Sequence, residues 1–267
     1  MTNSLIGEPV GLGGYETAYL RQQKALLDRY GVEARSNFVR LADIGRIHVL
    51  EAGAGDPVVI LHGGAGIGAE HIPVMAHLAR RFRVVVPDRP GHGLSDPFDY
   101  RRLDLREANV QFVRTLLDEL SIDRAALVGN SYGGFMGVCF ALAHPERVSR
   151  LVLLSFFPGM SDRTLPAIMR LMVTPVLGSL LGRTIGRPSE RNTRMFFSKF
   201  IVAHIDRMPE ELIALETLHS RRHRRSITGL FRAGLTPRGF RPRYVLRDRL
   251  RQLQVPATFL WSERDPF

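Results

Sequence analysis

A serine between two glycines is the feature of this sequence best suited to chemistry. Gly129, Ser131 and Gly133 form the spacing G-x-S-x-G, which follows an apolar run of strand type at 125–128 and precedes an apolar run of helix length at 135–143. On so tight a turn the serine hydroxyl projects away from the sheet, and a Cβ on either glycine would collide with neighbouring backbone. The helix that begins after the serine points N–H groups at the reacting centre. The pattern predicts that Ser131 is a nucleophile.

Two further loops follow predicted strands. The short apolar runs 58–61 and 83–86 are typical of buried strands, and they lead into the loops 62–66 and 88–95. Strands separated by helices predict βαβ units and a parallel sheet, in which the loops at the carboxyl ends of the strands meet along one edge. We therefore expect both loops to lie near Ser131.

The order of predicted elements divides the chain into segments. Residues 15–30 have the periodicity of an amphipathic helix, and strands then alternate with helices up to about position 155. Helical patterns at 165–181, 192–207 and 210–224 follow without strand alternation, and a strand pattern returns at 255–261. We predict an N-terminal helical arm (1–37), the first part of an α/β core (38–155), a helical cap (156–245) and a return to the core (246–267).

Four motifs together resemble the α/β-hydrolase-fold family. They are His62-Gly63-Gly64, Asp88-Arg89-Pro90-Gly91-His92-Gly93-Leu94-Ser95, Gly129-Asn130-Ser131-Tyr132-Gly133 and Trp261-Ser262-Glu263-Arg264-Asp265. In that family they correspond to the oxyanion loop after the third strand, the loop after the fourth strand, the nucleophile elbow and the strand end that carries the triad acid. The resemblance covers about residues 38–267 and implies an α/β fold with a mostly parallel central sheet, helices on both faces and a helical cap insertion.

The resemblance also implies roles for single residues. Ser131 would be the nucleophile of a capped serine hydrolase. The backbone N–H groups of Tyr132 and Gly64 would hold the developing oxyanion, with Gly63 as the alternative donor in the same loop. Asp265 would orient and stabilise the catalytic histidine. The resemblance implies no cofactor and no metal ion, and a serine nucleophile argues against haloalkane dehalogenases and epoxide hydrolases of this fold.

The catalytic histidine is where the sequence departs from the family. The family's chain order is serine, acid, histidine, yet all nine histidines precede Asp265, and only Pro266 and Phe267 follow it. Glu263 is a weaker candidate for the acid. The resemblance therefore implies a hydrolase truncated before its last strand, its terminal helix and its histidine, with little or no activity.

Other histidines are not expected to replace the missing base. His62 and His92 lie in loops near the predicted site, but histidines at these motif positions in relatives bond to backbone within their own loops. His219 and His223 belong to a basic helix of the cap and are predicted to be solvated.

The leading functional hypothesis is a serine hydrolase that acts on a small carboxylic ester or a related acyl substrate. The form Gly-Asn-Ser-x-Gly-Gly at 129–134 also resembles carbon–carbon bond hydrolases of aromatic ring cleavage, whose substrates are anionic. If some of Arg221, Arg222, Arg224 and Arg225 face the pocket, anionic substrates would be preferred. A third hypothesis is a truncated relative that binds a small molecule or a protein without turning it over.

Composition limits the remaining classes of protein. The chain has 267 residues, a formal charge of +11 and one cysteine, Cys139, so it forms no internal disulfide. Eleven arginines lie between Arg221 and Arg251, but no nucleic-acid-binding motif accompanies them, and nucleic acid is not expected as a partner. Because we find neither a signal peptide nor an apolar run of about 18 residues, we expect a cytoplasmic protein without membrane contact. The sequence leaves its oligomeric state open.

Overall fold

Residues 13–156, 170, 173–174, 187–263 and 265 are described in the computed structural model. The predicted cap helix at 165–181 therefore lies outside the described residues, apart from residues 170, 173 and 174. In the part of the chain that is described, no helix is both long and apolar enough to cross a bilayer.

A seven-stranded sheet forms the centre of the molecule. Its strands are β1 (Ala34–Leu41), β2 (Gly45–Ala52), β3 (Pro57–Leu61), β4 (Arg83–Pro87), β5 (Ala125–Asn130), β6 (Val148–Leu154) and β7 (Ala257–Leu260). They lie in the order β1-β2-β4-β3-β5-β6-β7. Strand β2 is antiparallel to its neighbours β1 and β4, and every other pair is parallel. The predicted mostly parallel sheet is confirmed.

Helices cover both faces of this sheet. The first four are α1 (Gly14–Tyr30), α2 (Ile72–Leu78), α3 (Leu105–Glu119) and α4 (Tyr132–Ala143). Successive side chains of a strand point to opposite faces, so β3 serves two separate cores. Val59 and Leu61 pack in the core that contains α3 and α4, whereas Val58 and Ile60 pack in the core that contains α1 and α2. The predicted helices on both faces are confirmed.

Local signals set the ends of these helices. Asp104 precedes α3, and its carboxylate accepts hydrogen bonds from the N–H groups of Arg106 and Glu107, so the helix begins at Leu105. Gly31 ends α1 in the left-handed conformation, with φ of 62°, which glycine adopts without strain. Because β1 begins at Ala34, the predicted boundary of the arm at residue 37 falls inside the first strand.

The described residues between 187 and 240 contribute three helices and no strand to the main sheet. The helices are α5 (Glu190–Phe200), α6 (Glu210–Arg222) and α7 (Arg224–Gly234). Helix α5 ends earlier than the predicted helix at 192–207, and a separate 3₁₀ turn, Ile205–Arg207, follows it. Helix α6 packs against α1. The assignment of residues 156–245 to a cap remains a prediction.

Candidate active site

The predicted site lies where the strand order of the sheet reverses. The chain adds β4 on one side of β3 and later adds β5 on the other side, so the loops after β3 and β5 leave the sheet side by side. Leu61 pairs with Gly129, which places the loop 62–66 level with Ser131. In open α/β sheets, ligands bind at such a switch point.

Ser131 occupies a strained turn between β5 and α4. Its φ of 49° and ψ of −113° lie in a region that residues with a Cβ rarely adopt. A Cβ on Gly129 would come within 2.6 Å of the Gly133 carbonyl oxygen, and a Cβ on Gly133 would come within 1.9 Å of the Leu61 carbonyl oxygen. The predicted collision at both glycines is confirmed. The Ser131 N–H donates to the Leu154 carbonyl oxygen at 2.9 Å, which ties the turn to β6.

The loop after β3 packs directly against this turn. A Cβ built on Gly63 would lie 3.7 Å from the Cβ of Ser131, and one built on Gly64 would lie 3.6 Å from the Cβ of Tyr132. The predicted nucleophile and the two predicted oxyanion donors are therefore neighbours. Phe231 of α7 covers the loop, with its Cε1 3.3 Å from the Cβ position of Gly64.

The side chain of Tyr132 is fixed by two neighbours. Its hydroxyl accepts from Asn109 Nδ2 at 2.9 Å and lies 3.3 Å from Asn109 Oδ1. The guanidinium carbon of Arg89 lies 4.9 Å from the centre of its ring, within cation–π range. Burial raises the pKa of Tyr132 above its ordinary value despite the opposing charge of Arg89. The hydroxyl is therefore protonated at neutral pH.

Arg89 is a candidate that the sequence did not single out. Its side chain is buried, and its Nη2 donates to the carbonyl oxygens of Gly63 at 2.7 Å and Gly64 at 3.0 Å. Among the described residues, its Nε and Nη1 have no hydrogen-bond partner, and no carboxylate lies within 4.0 Å to form an ion pair. Burial lowers the pKa of Arg89, but a guanidinium stays charged at neutral pH. Its only sequence signal is its place in the strand-end loop beside Asp88.

Asp88 holds the loop after β4 in place. Its carboxylate accepts from His48 Nδ1 at 2.8 Å and from the N–H groups of Gly68 at 2.8 Å and Leu94 at 3.0 Å. Burial acts to raise the pKa of Asp88, but these hydrogen bonds outweigh it and leave the pKa below its ordinary value. Asp88 therefore supports the loop 88–95 as a buried, satisfied carboxylate.

The two histidines nearest the predicted site are engaged elsewhere. His62 Nδ1 donates to the Gly63 carbonyl oxygen at 3.0 Å, and its Nε2 accepts from the Arg89 N–H at 3.0 Å. His92 Nδ1 donates to the Pro90 carbonyl oxygen at 3.0 Å, and its Nε2 lies 3.1 Å from Arg89 Nη2. Burial, reinforced by Arg89, lowers the pKa of both well below the ordinary value, so both are neutral. The expected bonding of these histidines to backbone in their own loops is confirmed.

The prediction that His219 and His223 are solvated is wrong, because both are buried. His219 Nε2 donates to the Ala65 carbonyl oxygen at 3.1 Å, and its Nδ1 accepts from the Gly93 N–H at 3.3 Å. His223 Nε2 donates to the Gly93 carbonyl oxygen at 2.8 Å. Burial lowers the pKa of both, to about 3 for His219. Residues four apart share one helical face, and here that face packs on the core although the surrounding sequence is basic.

Most of the four cap arginines considered as possible anion-binding residues are exposed to solvent. Arg221, Arg222 and Arg225 are exposed, and Arg224 is half-buried. A different concave surface, of about 440 Å³, lies between α7, the residues before α3 and the segment 241–243. It is lined by Arg101, Arg102, Leu103, Asp104, Arg232, Ala233, Arg241 and Arg243.

Asp265 follows a strand that is two positions from β5 in the sheet. Strand β7 neighbours β6, and β6 neighbours β5, so the residues after β7 and Ser131 leave the same edge. At a strand spacing of about 4.8 Å, the ends of β5 and β7 are about 10 Å apart. The Asp265 N–H donates to the Ser262 carbonyl oxygen at 3.1 Å, and Glu263 is exposed. The triad role of Asp265 remains a prediction.

A pair of glutamates, the buried Glu216 and the half-buried Glu70, lies beside the loop after β3. Glu70 is in the 3₁₀ turn Gly68–His71, and Glu216 is on α6. Burial raises the pKa of both carboxyls, and the hydrogen bond between them raises that of Glu216 further while it lowers that of Glu70. The pair therefore binds a proton more readily than two free carboxyls do. In the described residues, no group of three or more histidine, cysteine, aspartate or glutamate side chains is arranged to hold a metal ion.

Comparison with known protein families shows the family of this chain. The model of the alpha/beta hydrolase fold matches residues 56–267. The chain belongs to the α/β hydrolase fold family and is a hydrolase.

Similar sequences include enzymes named for dienoate substrates. The 2-hydroxy-6-oxononadienedioate/2-hydroxy-6-oxononatrienedioate hydrolase of Burkholderia vietnamiensis is 33% identical over 248 residues, which cover 88% of this chain and 81% of that protein. The 2-hydroxy-6-oxo-6-phenylhexa-2,4-dienoate hydrolase of Burkholderia cepacia is 34% identical over 163 residues, covering 54% of this chain and 56% of that protein.

Similar solved structures include two esterases of Bacillus subtilis. Naproxen esterase has a TM-score of 0.67 and 19% identity, and covers 94% of this chain and 81% of its own. Carboxylesterase CesB has a TM-score of 0.65 and 21% identity, and covers 92% of this chain and 80% of its own. At these identities the likeness shows the fold alone.

Proposed function

We propose that the hydrolysis begins with attack of the Ser131 hydroxyl on a substrate carbonyl carbon. The observation that carries this proposal is the strained turn at Ser131 packed against the loop at Gly63 and Gly64. The turn presents the serine at the switch point of the sheet, between the first turn of α4 and the loop after β3. Both elements offer backbone N–H groups to a reacting carbonyl.

The proposed mechanism uses these N–H groups when charge develops. Attack by Ser131 converts the carbonyl into a tetrahedral intermediate with a negative oxygen, and the N–H groups of Tyr132 and Gly64 donate to that oxygen. Loss of one such donor typically lowers kcat by about 10²- to 10³-fold. Asp265 is the proposed acid that would orient a catalytic base.

The mechanism also needs a general base. A serine hydroxyl needs a base that takes its proton during attack, and the two histidines nearest the site are neutral with their ring nitrogens engaged elsewhere. Loss of a triad member lowers kcat by roughly 10⁴- to 10⁶-fold in serine proteases. A site built from these residues alone is therefore expected to turn over substrate slowly. A binding protein without turnover is the alternative in this case.

The best-supported substrate class is a 2-hydroxy-6-oxo dienoate. The relatives that carry this substrate in their names include one that matches 88% of the chain at 33% identity. In such a compound the 6-oxo carbon is the electrophile. The substrate first has to move its 2-hydroxyl proton to C5, which gives a 2-oxo-3-ene, so that when the C5–C6 bond breaks the electron pair moves through the C3–C4 alkene onto the 2-oxo oxygen as a dienolate. Water then completes the reaction, and the products are a carboxylic acid and a hydroxydienoate.

A small carboxylic ester is the second candidate substrate. An ester needs the same nucleophile and oxyanion donors, with an alkoxide as the leaving group. The exposure of Arg221, Arg222 and Arg225 favours this candidate, because that cluster then offers no recognition of an anionic substrate.

We also propose that residues 156–245 form a cap over the site and that the protein works in the cytoplasm. The contact of Phe231 with the loop at Gly64 supports the cap. Cys139 is buried in α4 and forms no disulfide, and burial raises its pKa to about 12. An unpaired, unreactive cysteine is compatible with a reducing compartment.

The test compares the wild-type chain with Ser131→Ala on two substrates. p-Nitrophenyl butyrate reports ester hydrolysis by nitrophenolate absorbance, and 2-hydroxy-6-oxo-6-phenylhexa-2,4-dienoate reports carbon–carbon cleavage by loss of its own absorbance. Each assay is run with and without added imidazole, a small base that can take the serine proton. The Ser131→Ala protein corrects for the direct reaction of imidazole with the ester.

We expect turnover that depends on Ser131, is slow without imidazole and is faster with it, with the dienoate as the better substrate. Equal rates in both proteins under every condition would reject Ser131 chemistry. Saturable binding of the dienoate without turnover, also in imidazole, would support the binding protein instead.

A further inference from the structure

One peptide group connects Arg89 with the proposed oxyanion hole. The carbonyl oxygen of Gly63 and the N–H of Gly64 belong to the same planar unit, and no cis peptide bond occurs in the described chain. In a trans peptide the N–H points opposite to the C=O. The Gly63 oxygen accepts from Arg89 Nη2 at 2.7 Å, His62 Nδ1 at 3.0 Å and the Gly66 N–H at 3.3 Å. These three bonds orient the Gly64 N–H away from Arg89.

The charge of Arg89 is not neutralised by an adjacent carboxylate. Asp88 is the neighbour in sequence, but its carboxylate is occupied by His48 and two backbone N–H groups. The negative charge of Glu70 also acts on Arg89, but the two groups form no ion pair within 4.0 Å. A buried guanidinium with two unpartnered donor nitrogens is costly. Such groups are concentrated at functional sites.

We propose that Arg89 is a positioning residue of the oxyanion hole, which holds the Gly63–Gly64 peptide and polarises it so that the Gly64 N–H is a stronger donor. This inference rests on the proposed roles of Gly64 and Ser131. A charge-assisted hydrogen bond to a carbonyl oxygen draws electron density from the amide nitrogen, and hydrogen bonds in a chain strengthen one another. The positive charge also favours the oxyanion over the neutral substrate carbonyl.

If Arg89 only held the Gly63–Gly64 peptide in place, its positive charge would not be required. Without Arg89 the Gly63 oxygen keeps His62 and Gly66 as donors, and the Gly64 oxygen loses one donor. Removal of the guanidinium relieves the cost of a buried, poorly compensated charge, which offsets the loss of one donor to the Gly64 oxygen. We therefore expect replacement of Arg89 to weaken the Gly64 N–H as a donor without a large loss of stability.

The test uses Arg89→Met, Arg89→Lys and, as a matched control, Arg83→Met. Arg83 lies on β4 and donates to Glu51 at 3.0 Å, so its loss leaves the site unchanged. The chain is labelled with nitrogen-15, and the amide proton shift of Gly64 is compared between variants alongside their melting temperatures. This measurement does not require turnover. Where Ser131-dependent turnover is detected, kcat and KM are measured as well.

In Arg89→Met we expect the Gly64 amide proton to shift upfield while the melting temperature stays equal or rises, with a smaller shift in Arg89→Lys and none in Arg83→Met. We expect kcat to fall about tenfold with KM unchanged, a smaller loss than removal of a donor itself. An unchanged Gly64 shift, or a shift accompanied by a large loss of stability, would overturn the inference. Failure of the hydrolysis assay with the expected shift present would reject the proposed function alone.

Discussion

Tyr15 and His223 donate hydrogen bonds to the same acceptor, the carbonyl oxygen of Gly93, at 2.7 Å and 2.8 Å. Tyr15 belongs to α1 and His223 follows α6, so the N-terminal helix and the helix of the proposed cap meet on the loop after β4. Their rings are also in edge contact, with centroids 6.0 Å apart. The N-terminal helix is therefore part of the support of the site.

The shared acceptor predicts non-additive losses of stability. Tyr15→Phe and His223→Leu each leave the Gly93 oxygen with one donor, and each is expected to cost about 0.5–1.5 kcal/mol. The double variant leaves a buried carbonyl without either donor, which adds about 1–3 kcal/mol. Urea unfolding of the four proteins measures the coupling. Tyr30→Phe, at the other end of α1, is the control and should be additive with His223→Leu. Strict additivity in the Tyr15 cycle would contradict the shared role.

The glutamate pair Glu70 and Glu216 predicts a free energy of unfolding that falls as pH rises. The pKa of Glu216 is raised in the folded protein, mainly by burial and then by the charge of Glu70. Below its ordinary value of 4.5 the group is protonated in both states, and above it the unfolded chain gains stability by releasing the proton. Glu216→Gln removes this effect. We expect the variant to melt at a higher temperature than wild type at pH 8 and to differ less at pH 5.

Glu211→Gln on the same helix is the matched control for this prediction. Glu211 accepts hydrogen bonds from Arg29, which lower its pKa. Its contribution to stability is therefore present above its ordinary pKa and is lost as pH falls, the opposite dependence. A Glu216→Gln difference that is independent of pH would show that the pair does not hold a proton.

The surroundings of Gly133 and Gly64 predict that an alanine destabilises the protein at the first position and not at the second. In Gly133→Ala the new Cβ meets the Leu61 carbonyl oxygen at 1.9 Å, so helix α4 and β3 must separate. In Gly64→Ala the nearest atom is Cε1 of the Phe231 ring at 3.3 Å, which can shift by a few tenths of an ångström. We expect Gly133→Ala to lose soluble yield and at least about 1–3 kcal/mol, and Gly64→Ala to melt near wild type. Thermal unfolding measures both, and similar melting temperatures would contradict the elbow geometry.

The exposed apolar strand β7 predicts self-association. Among the described residues it pairs with β6 alone, and Phe259, Leu260 and the following Trp261 are 41%, 52% and 41% exposed. Exposed apolar edge strands are templates for pairing with other chains. Leu260→Lys is expected to lower light scattering at high protein concentration with little change in melting temperature. Val74→Lys, at an exposed apolar position on α2, is the control, and an equal decrease there would show that added charge alone is responsible.

Local sequence determined the nucleophile turn and most of the sheet. The G-x-S-x-G spacing could be recognised within five residues, and the clash of a Cβ on Gly129 with Gly133 and Gly134 is local, whereas the clash at Gly133 is with Leu61 of β3. Alternation of strands with helices was enough to predict a parallel sheet, and the reversal of strand order then brings Gly64 to Tyr132. These features depend on short-range backbone geometry and on general rules of chain connection.

Only the tertiary structure decided which polar side chains are buried and which partners they have. His219 and His223 lie in an arginine-rich stretch that reads as solvated, but the face of α6 that carries them covers a loop some 126 to 130 residues earlier in the chain. Arg89 resembles any charged loop residue until the loops after β3 and β5 enclose it. Burial depends on which distant surface covers a residue, and a buried polar group takes its pKa and its partners from that surface. The sequence therefore determined where Ser131 stands, and only the packing decided which charged groups surround it.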